Sequence, residues 1–252
     1  MARAKKKQVQ TDDGWTVVAG SGSARDDEGS SDQLQDARPQ KVVNGLTVEK
    51  LVDEFRDMEK RWKKTSCARN LDKMLSLKDW SVRNAVCIGI GSFSLDWEHR
   101  YRSLWQLVLF TAVAGILTPE NTNLSLHAQE PAFTAIDAAF LATLNISVLT
   151  SSIQDHISTS SFVFAPFVDW FLLLPLFLQA KDPELYIGNE VLDNYRAFAN
   201  TQEKREVLAE CNRLGKAFRV GRERRKVPDF ELHGSALDGL VMYWKDVDSD
   251  EE

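Results

Sequence analysis

The sequence predicts an α/β protein: a Rossmann-like open, mainly parallel sheet of about five strands flanked by helices, with a disordered N-terminal segment and an acidic C-terminal tail. Two observations point there. From Val82 onward, short apolar runs such as Ala85–Ile90 alternate with helical stretches, the pattern of β-α-β units and a largely parallel sheet. The chain has 252 residues, 43% of them hydrophobic, which is enough for one full-sized core and does not demand a second.

Four parts are expected along the chain: a disordered segment over 1–40, a helical segment over 44–80, the α/β domain over 82–244 and an acidic tail over 245–252. The first is rich in Lys, Asp, Ser and Gly and has too few apolar residues to offset the entropy of ordering. Its one apolar patch is GWTVV, where Trp15, Val17 and Val18 form a candidate docking motif for a protein partner. From Thr47 to Trp62, apolar Val48, Leu51, Val52, Phe55, Met58 and Trp62 recur at three- and four-residue spacing, which predicts an amphipathic helix capped by Asn44 or Thr47. A shorter helix is expected over 70–77.

In the domain, strands are expected at 85–90, 123–128, 146–149, 161–165 and 185–187. Helices are expected at 98–117, 131–144 and 169–180, the last bent at Pro175, with another opening at Glu190 and a longer one over 201–220. The basic run Arg219, Arg222, Arg224, Arg225, Lys226 reads as a solvated helix end, a nuclear import signal or a phosphate patch. After it, ALDGLVMYW is apolar enough to return to the domain as a covering element.

Several functional classes are disfavoured. A net charge of -6 argues against a general nucleic-acid surface. Cys67, Cys87 and Cys211 are far apart and lack metal-site spacing, so no metal site is expected and the thiols read as reduced. The stretch from Phe162 to Ala180 approaches the length of a membrane span, but Asp169, Pro166 and Pro175 interrupt it, and a buried strand followed by a buried helix is expected instead. No apolar stretch follows the basic start of the chain, so no secretory signal is expected. The expected location is cytoplasm or nucleus.

Ligands of open parallel sheets bind outside the carboxyl ends of the strands. Polar groups stand at each such junction: Gly89, Gly91 and Ser92 after the first strand, Glu130 after the second, Asp169 after the fourth and Asn189 after the fifth. Gly89 and Gly91 would let backbone N–H groups approach an anion, and Glu130 stands where a ribose-binding carboxylate would. The dinucleotide fingerprint is incomplete, because Ser94 occupies the third glycine position and Glu130 lies far beyond the customary spacing of about 20 residues. No cofactor motif is complete, there is no GxSxG elbow, and no catalytic residue is assigned. Asp137 falls among helical apolar positions, as a loop tether or a solvent-facing side chain.

Several segments occur in an order that resembles one family: GIGSF (Gly89–Phe93), SLWQLVLF (Ser103–Phe110), QEPAFTAIDAAFLATLNISVL (Gln129–Leu149), SSFVFAPFVDW (Ser160–Trp170) and ELYIGNEVLDNY (Glu184–Tyr195). Over about residues 83–197 the chain resembles the "sensitivity to red light reduced", or SRR-like, domain family, and WEHRYRSLWQL and FAPFVDW look most like its fungal branch. GWTVV is similar to a tryptophan-centred segment ahead of that domain. The resemblance implies regulatory work of the signalling or circadian kind, performed by an adaptor that binds protein partners, and it supplies no catalytic residues. The family's Cys- and His-bearing segment stands here as PFVDW, with neither residue, so no haem or metal role carries over to it. The alternative function is a small-molecule protein or enzyme, of the nucleotide or S-adenosylmethionine-like kind, using the carboxyl-edge cleft.

Overall fold

The computed structural model describes residues 7–10, 16–19, 41–96, 98–118 and 124–245. Two short strands, β1 (Lys7–Gln10) and β2 (Thr16–Ala19), pair antiparallel as a separate two-stranded hairpin. Apart from these, the segment read as disordered lies outside the described residues, as do Trp15 and residues 246–252.

The main sheet has seven strands rather than about five: β3 (Asn84–Ile88), β4 (Ser125–Gln129), β5 (Ile146–Val148), β6 (Ser161–Ala165), β7 (Leu185–Gly188), β8 (Arg222–Lys226) and β9 (Val241–Lys245). Their spatial order is β5-β4-β3-β6-β7-β9-β8. The first five are mutually parallel, and β9 runs antiparallel between β7 and β8. Order reverses between β3 and β6, the topological switch point of a doubly wound sheet. Register places Ile88 opposite Gln129, Cys87 opposite Phe164 and Ala165 opposite Gly188, so the junctions after β3, β4, β6 and β7 share one edge.

Helices cover both faces. On one lie α1 (Val48–Trp62), α2 (Ser66–Leu75), α3 (Arg100–Leu117) and α4 (Ala135–Thr143). Their Leu51, Phe55, Leu71, Phe110 and Phe140 pack with Ala85, Cys87, Phe162 and Phe164 from the sheet. α1 and α2 thus bury their apolar stripes in the main core, and α1 begins at Thr47, whose hydroxyl accepts from Lys50 N at 3.3 Å. On the other face, Val86, Ile88, Val163 and Tyr186 meet α5 (Trp170–Leu172), the π-helical turn Leu173–Leu178, and α7 (Leu208–Arg219). Every residue of β6 is buried, as a strand covered on both sides must be. The stretch from Phe162 to Ala180 is that central strand plus the α5 and π turns, and no helix among the described residues is long and apolar enough to cross a membrane.

Three details differ from the sequence-based expectation. No helix opens at Glu190; that link holds only a 3-10 turn, Arg196–Phe198. The long final helix is split at Val207 into α6 (Gln202–Glu206) and α7. The basic run divides: Arg219 is the last residue of α7 and so a helix end, while Arg222–Lys226 form edge strand β8, and acids pair with four of the five: Arg222 with Asp182, Arg224 with Glu190 at 2.7 Å, Arg225 with Glu223, and Arg219 with Asp193 at 3.6 Å. Charge on an edge strand also discourages pairing with another sheet.

Gly215 separates two opposed effects. Alanine is favoured over glycine inside a helix by about 1 kcal/mol. A Cβ there would come within 2.1 Å of the Leu192 carbonyl oxygen, closer than any atom can sit without backbone movement. Overpacking of this kind costs about 1–3 kcal/mol or more. Gly215→Ala should therefore lower the urea midpoint; a raised midpoint would mean that α7 does not press on the 189–201 link as described.

Candidate functional site: the carboxyl-edge crevice

The crevice at the switch point is built on the turn after β3. Gly89 (φ 71) and Gly91 (φ 84) both take left-handed backbone that residues with a Cβ adopt at a cost, so the strand can reverse at once and expose backbone N–H groups. Those groups have internal partners. Glu130, the first residue beyond β4, accepts from Gly91 N at 3.0 Å with one carboxylate oxygen and from Ala132 N at 2.9 Å with the other.

Beyond Gly91 the turn is welded to α4 by Asp137, which is fully buried. One Asp137 oxygen accepts from Ser92 Oγ at 2.7 Å and Thr134 N at 2.8 Å, and the other accepts from Phe93 N at 3.1 Å. Thr134 caps α4 by accepting from Asp137 N, which completes a capping box. Ser92 Oγ accepts in turn from Ser94 N and Leu95 N, both at 3.1 Å. On the other side, Val43 N donates to Ser94 O at 2.9 Å, and buried Arg100 donates to Phe93 O while forking onto Glu54 of α1. The turn is therefore held by α1, α3, α4 and the segment ahead of α1.

The loop after β6 faces it. Phe167 has φ 62 although it carries a bulky side chain, and its ring is 41% exposed beneath the Arg102 guanidinium at 4.8 Å. Left-handed backbone at a bulky residue is a true outlier, and such strain gathers at functional sites. Arg102 Nε is buried with no hydrogen-bond partner among the described residues. Asp169, two residues beyond Phe167, is half-buried; burial pushes its carboxyl up, and Lys204 pulls partly back. Lys204 is only 8% exposed, its ammonium 4.8 Å over the Phe171 ring. Asn189 donates to Val168 O at 3.1 Å and so pins this loop to the end of β7.

Of the residues expected at the cleft, Gly91 and Glu130 are in direct contact, with Gly89 and Ser92 in the same turn, while Asp169 belongs to the facing loop and Asn189 to the end of β7 that holds it. Arg102 and Phe167 were not among those expected, and only the strained backbone marks Phe167. Asp137 was legible in part, because Thr134-Ala135-Ile136-Asp137 has capping-box spacing. Val17 and Val18 lie in β2, in the separate two-stranded sheet.

No cluster of three or more His, Cys, Asp or Glu that could hold a metal ion occurs among the described residues. His99 pairs with Glu98 at 2.9 Å, and the His127 and His156 rings lie 4.3 Å apart, with burial and then His156 holding the His127 pKa down. Burial, followed by the Glu130 charge, raises the Cys87 thiol well above its usual range, so it is an inert core group.

A doubly wound sheet with a polar crevice at its switch point defines a Rossmann-like α/β protein. Within that class, the SRR1 domain profile matches residues 48–244, and the chain belongs to the SRR1 domain family. The match takes in α1 and α2 as well as the sheet. No curated protein sequence matches the chain. Among solved structures it is similar to an O-methyltransferase from Bacillus cereus determined in complex with SAH, at 14% identity over 78% of this chain and 90% of that one, with a TM-score of 0.40. It is also similar to a protein from Klebsiella pneumoniae named as a candidate O-methyltransferase, at 11% identity over 78% and 90%, with a TM-score of 0.37. Likeness at this level concerns the fold and says nothing of chemistry.

Asp137 sets the stability of the crevice. Asp137→Asn puts an NH2 group against donors that need acceptors, and a buried mispairing of this kind costs about 1–3 kcal/mol. The urea midpoint should fall accordingly, and Ser92→Ala should lower it too, because Asp137 loses one donor while Ser94 N and Leu95 N lose their acceptor. Equal, negligible losses for both would show that the weld does not hold the turn.

Proposed function

We propose that this SRR1-family protein is a regulatory protein that binds a small, hydroxyl-bearing ligand of the nucleoside or S-adenosylmethionine type in the carboxyl-edge crevice. The observation that carries the reading is the position of Glu130. Its carboxylate stands at the tip of the strand next to β3, held by Gly91 N and Ala132 N. A carboxylate at that place in a Rossmann-like sheet accepts from ribose hydroxyls. Its 39-residue separation from Gly91 reflects the 18-residue α3 and its following loop, so the unusual spacing does not displace it from the strand tip.

The same carboxylate decides the ligand class. Gly91 N already donates to Glu130, and a phosphate brought there would meet a negative charge instead of a free N–H nest. With Asp169 also lining the crevice, neutral and cationic ligands are favoured over pyrophosphates. The exposed Phe167 ring beneath Arg102 offers a flat face for a base.

A second reading, docking of a protein partner through GWTVV, has one observation in its favour. Val17 and Val18 lie in a two-stranded hairpin outside the main sheet, and a lone hairpin of that size is marginal unless something packs on it.

Thermal shift against adenosine, S-adenosylmethionine and ATP tests the first reading. Adenosine or S-adenosylmethionine should raise the wild-type midpoint more than ATP does. Glu130→Gln should weaken binding by about tenfold or more, the worth of hydrogen bonds to a charged acceptor. The reading fails if none of the three shifts the protein or if Glu130→Gln binds as wild type.

A further inference from the structure

At the amino edge of the sheet, opposite the crevice, a cavity of about 190 Å³ lies between the π turn and α7. Leu174, Leu178, Leu214, Ala217 and Phe218 wall it. An apolar cavity of roughly 150 Å³ suffices for a benzene-sized molecule. Three independent features surround this one. The wall includes the π turn Leu173–Leu178, and π turns inside helices occur often at functional sites. Two further lining residues, Ala180 (φ 56) and Asp182 (φ 48), hold left-handed backbone without being glycine, strain of the sort that collects at ligand clamps.

The third feature is a buried cation with a spare donor, Arg222, held against two of the lining residues, Phe218 and Asp182. The Arg222 side chain is 2% exposed, its Nη2 donates to Asp182, and its guanidinium lies 4.4 Å over the Phe218 ring. Its Nη1 is buried and has no hydrogen-bond partner among the described residues. The other Asp182 oxygen is taken by Lys245 at 2.7 Å. Two cations thus face one carboxylate, and one N–H lacks an acceptor.

We propose that this cavity binds a small amphipathic carboxylate, with an apolar body of about six to eight carbons between the π turn and α7 and the carboxylate on Arg222. A buried donor without an acceptor is unfavourable, and a ligand oxygen removes that penalty while the excess positive charge selects an anion. The apolar body packs on leucine, alanine and phenylalanine, while Gln179 and Asp182 complete the lining. The site shares no residue with the carboxyl-edge crevice, so the two ligands are independent.

Calorimetric titration of the full chain with octanoate, and with octylamine as the same tail under the opposite charge, tests this. Octanoate should bind saturably with one site, and octylamine should not. Ala217→Trp, made from the exposed side of α7, fills the cavity and should weaken octanoate by about tenfold or more, while Arg222→Met keeps the packing on Phe218 and should lose a similar factor. If Arg222→Met does not fold, Ala217→Trp and the octylamine control still decide. Absence of saturable octanoate binding, equal binding of octylamine, or unchanged affinity in Ala217→Trp would each overturn the proposal.

Discussion

Asp137 is a carboxylate with no access to solvent, and its two oxygens collect donors from two elements that are distant in sequence: Ser92 and Phe93 from the turn after β3, and Thr134 at the start of α4. A buried carboxylate is tolerated only when its lone pairs are used, so the turn cannot move without exposing an uncompensated charge. Arg100 applies the same constraint from α3, carrying Glu54 of α1 with it. The helical layer on that face, the switch-point turn and the crevice floor therefore form one unit. This explains why residues ahead of the sheet, from Lys41 to Leu75, belong to the same core.

With the turn fixed, the chemistry of the crevice follows from what fills it. In dinucleotide-binding sheets the glycine turn is empty so that a pyrophosphate can approach. Here Glu130 occupies that approach, and the third glycine is Ser94, whose hydroxyl is 2.7 Å from Thr134 Oγ1. The turn is an internal joint closed by a carboxylate that accepts from Gly91 N and Ala132 N. Phe167, held against its backbone preference by the loop that Asn189 pins, supplies the facing surface.

How much of this could be read from sequence depended on where each signal resides. β6 was legible residue for residue, because a central parallel strand reads as a near-continuous apolar run, here FVFA after Ser161. β8 was not: RERRK has no apolar periodicity, and its place as an edge strand depends on Asp182, Glu190 and the neighbouring β9, which the local sequence does not reveal. Glu190 looked like a helix start because an acid suits a first turn, yet it serves Arg224 across the sheet. Glu130 was visible as the residue ending a strand, but its spacing from the glycines counted against it, and its contact with Gly91 N is a three-dimensional fact that spacing does not carry. The strain at Phe167 and the unsatisfied donors on Arg102 and Arg222 leave no local sequence signature, since each depends on three-dimensional neighbours.

The central claim is that Glu130 has converted a phosphate-type turn into a hydroxyl-binding one. The most direct measurement is amide NMR of the wild-type protein, following Gly91 and Ser92 during separate titrations with adenosine and inorganic pyrophosphate. The account predicts saturable shifts of both amides with adenosine and none with pyrophosphate. Saturable shifts with pyrophosphate, and none with adenosine, would contradict it.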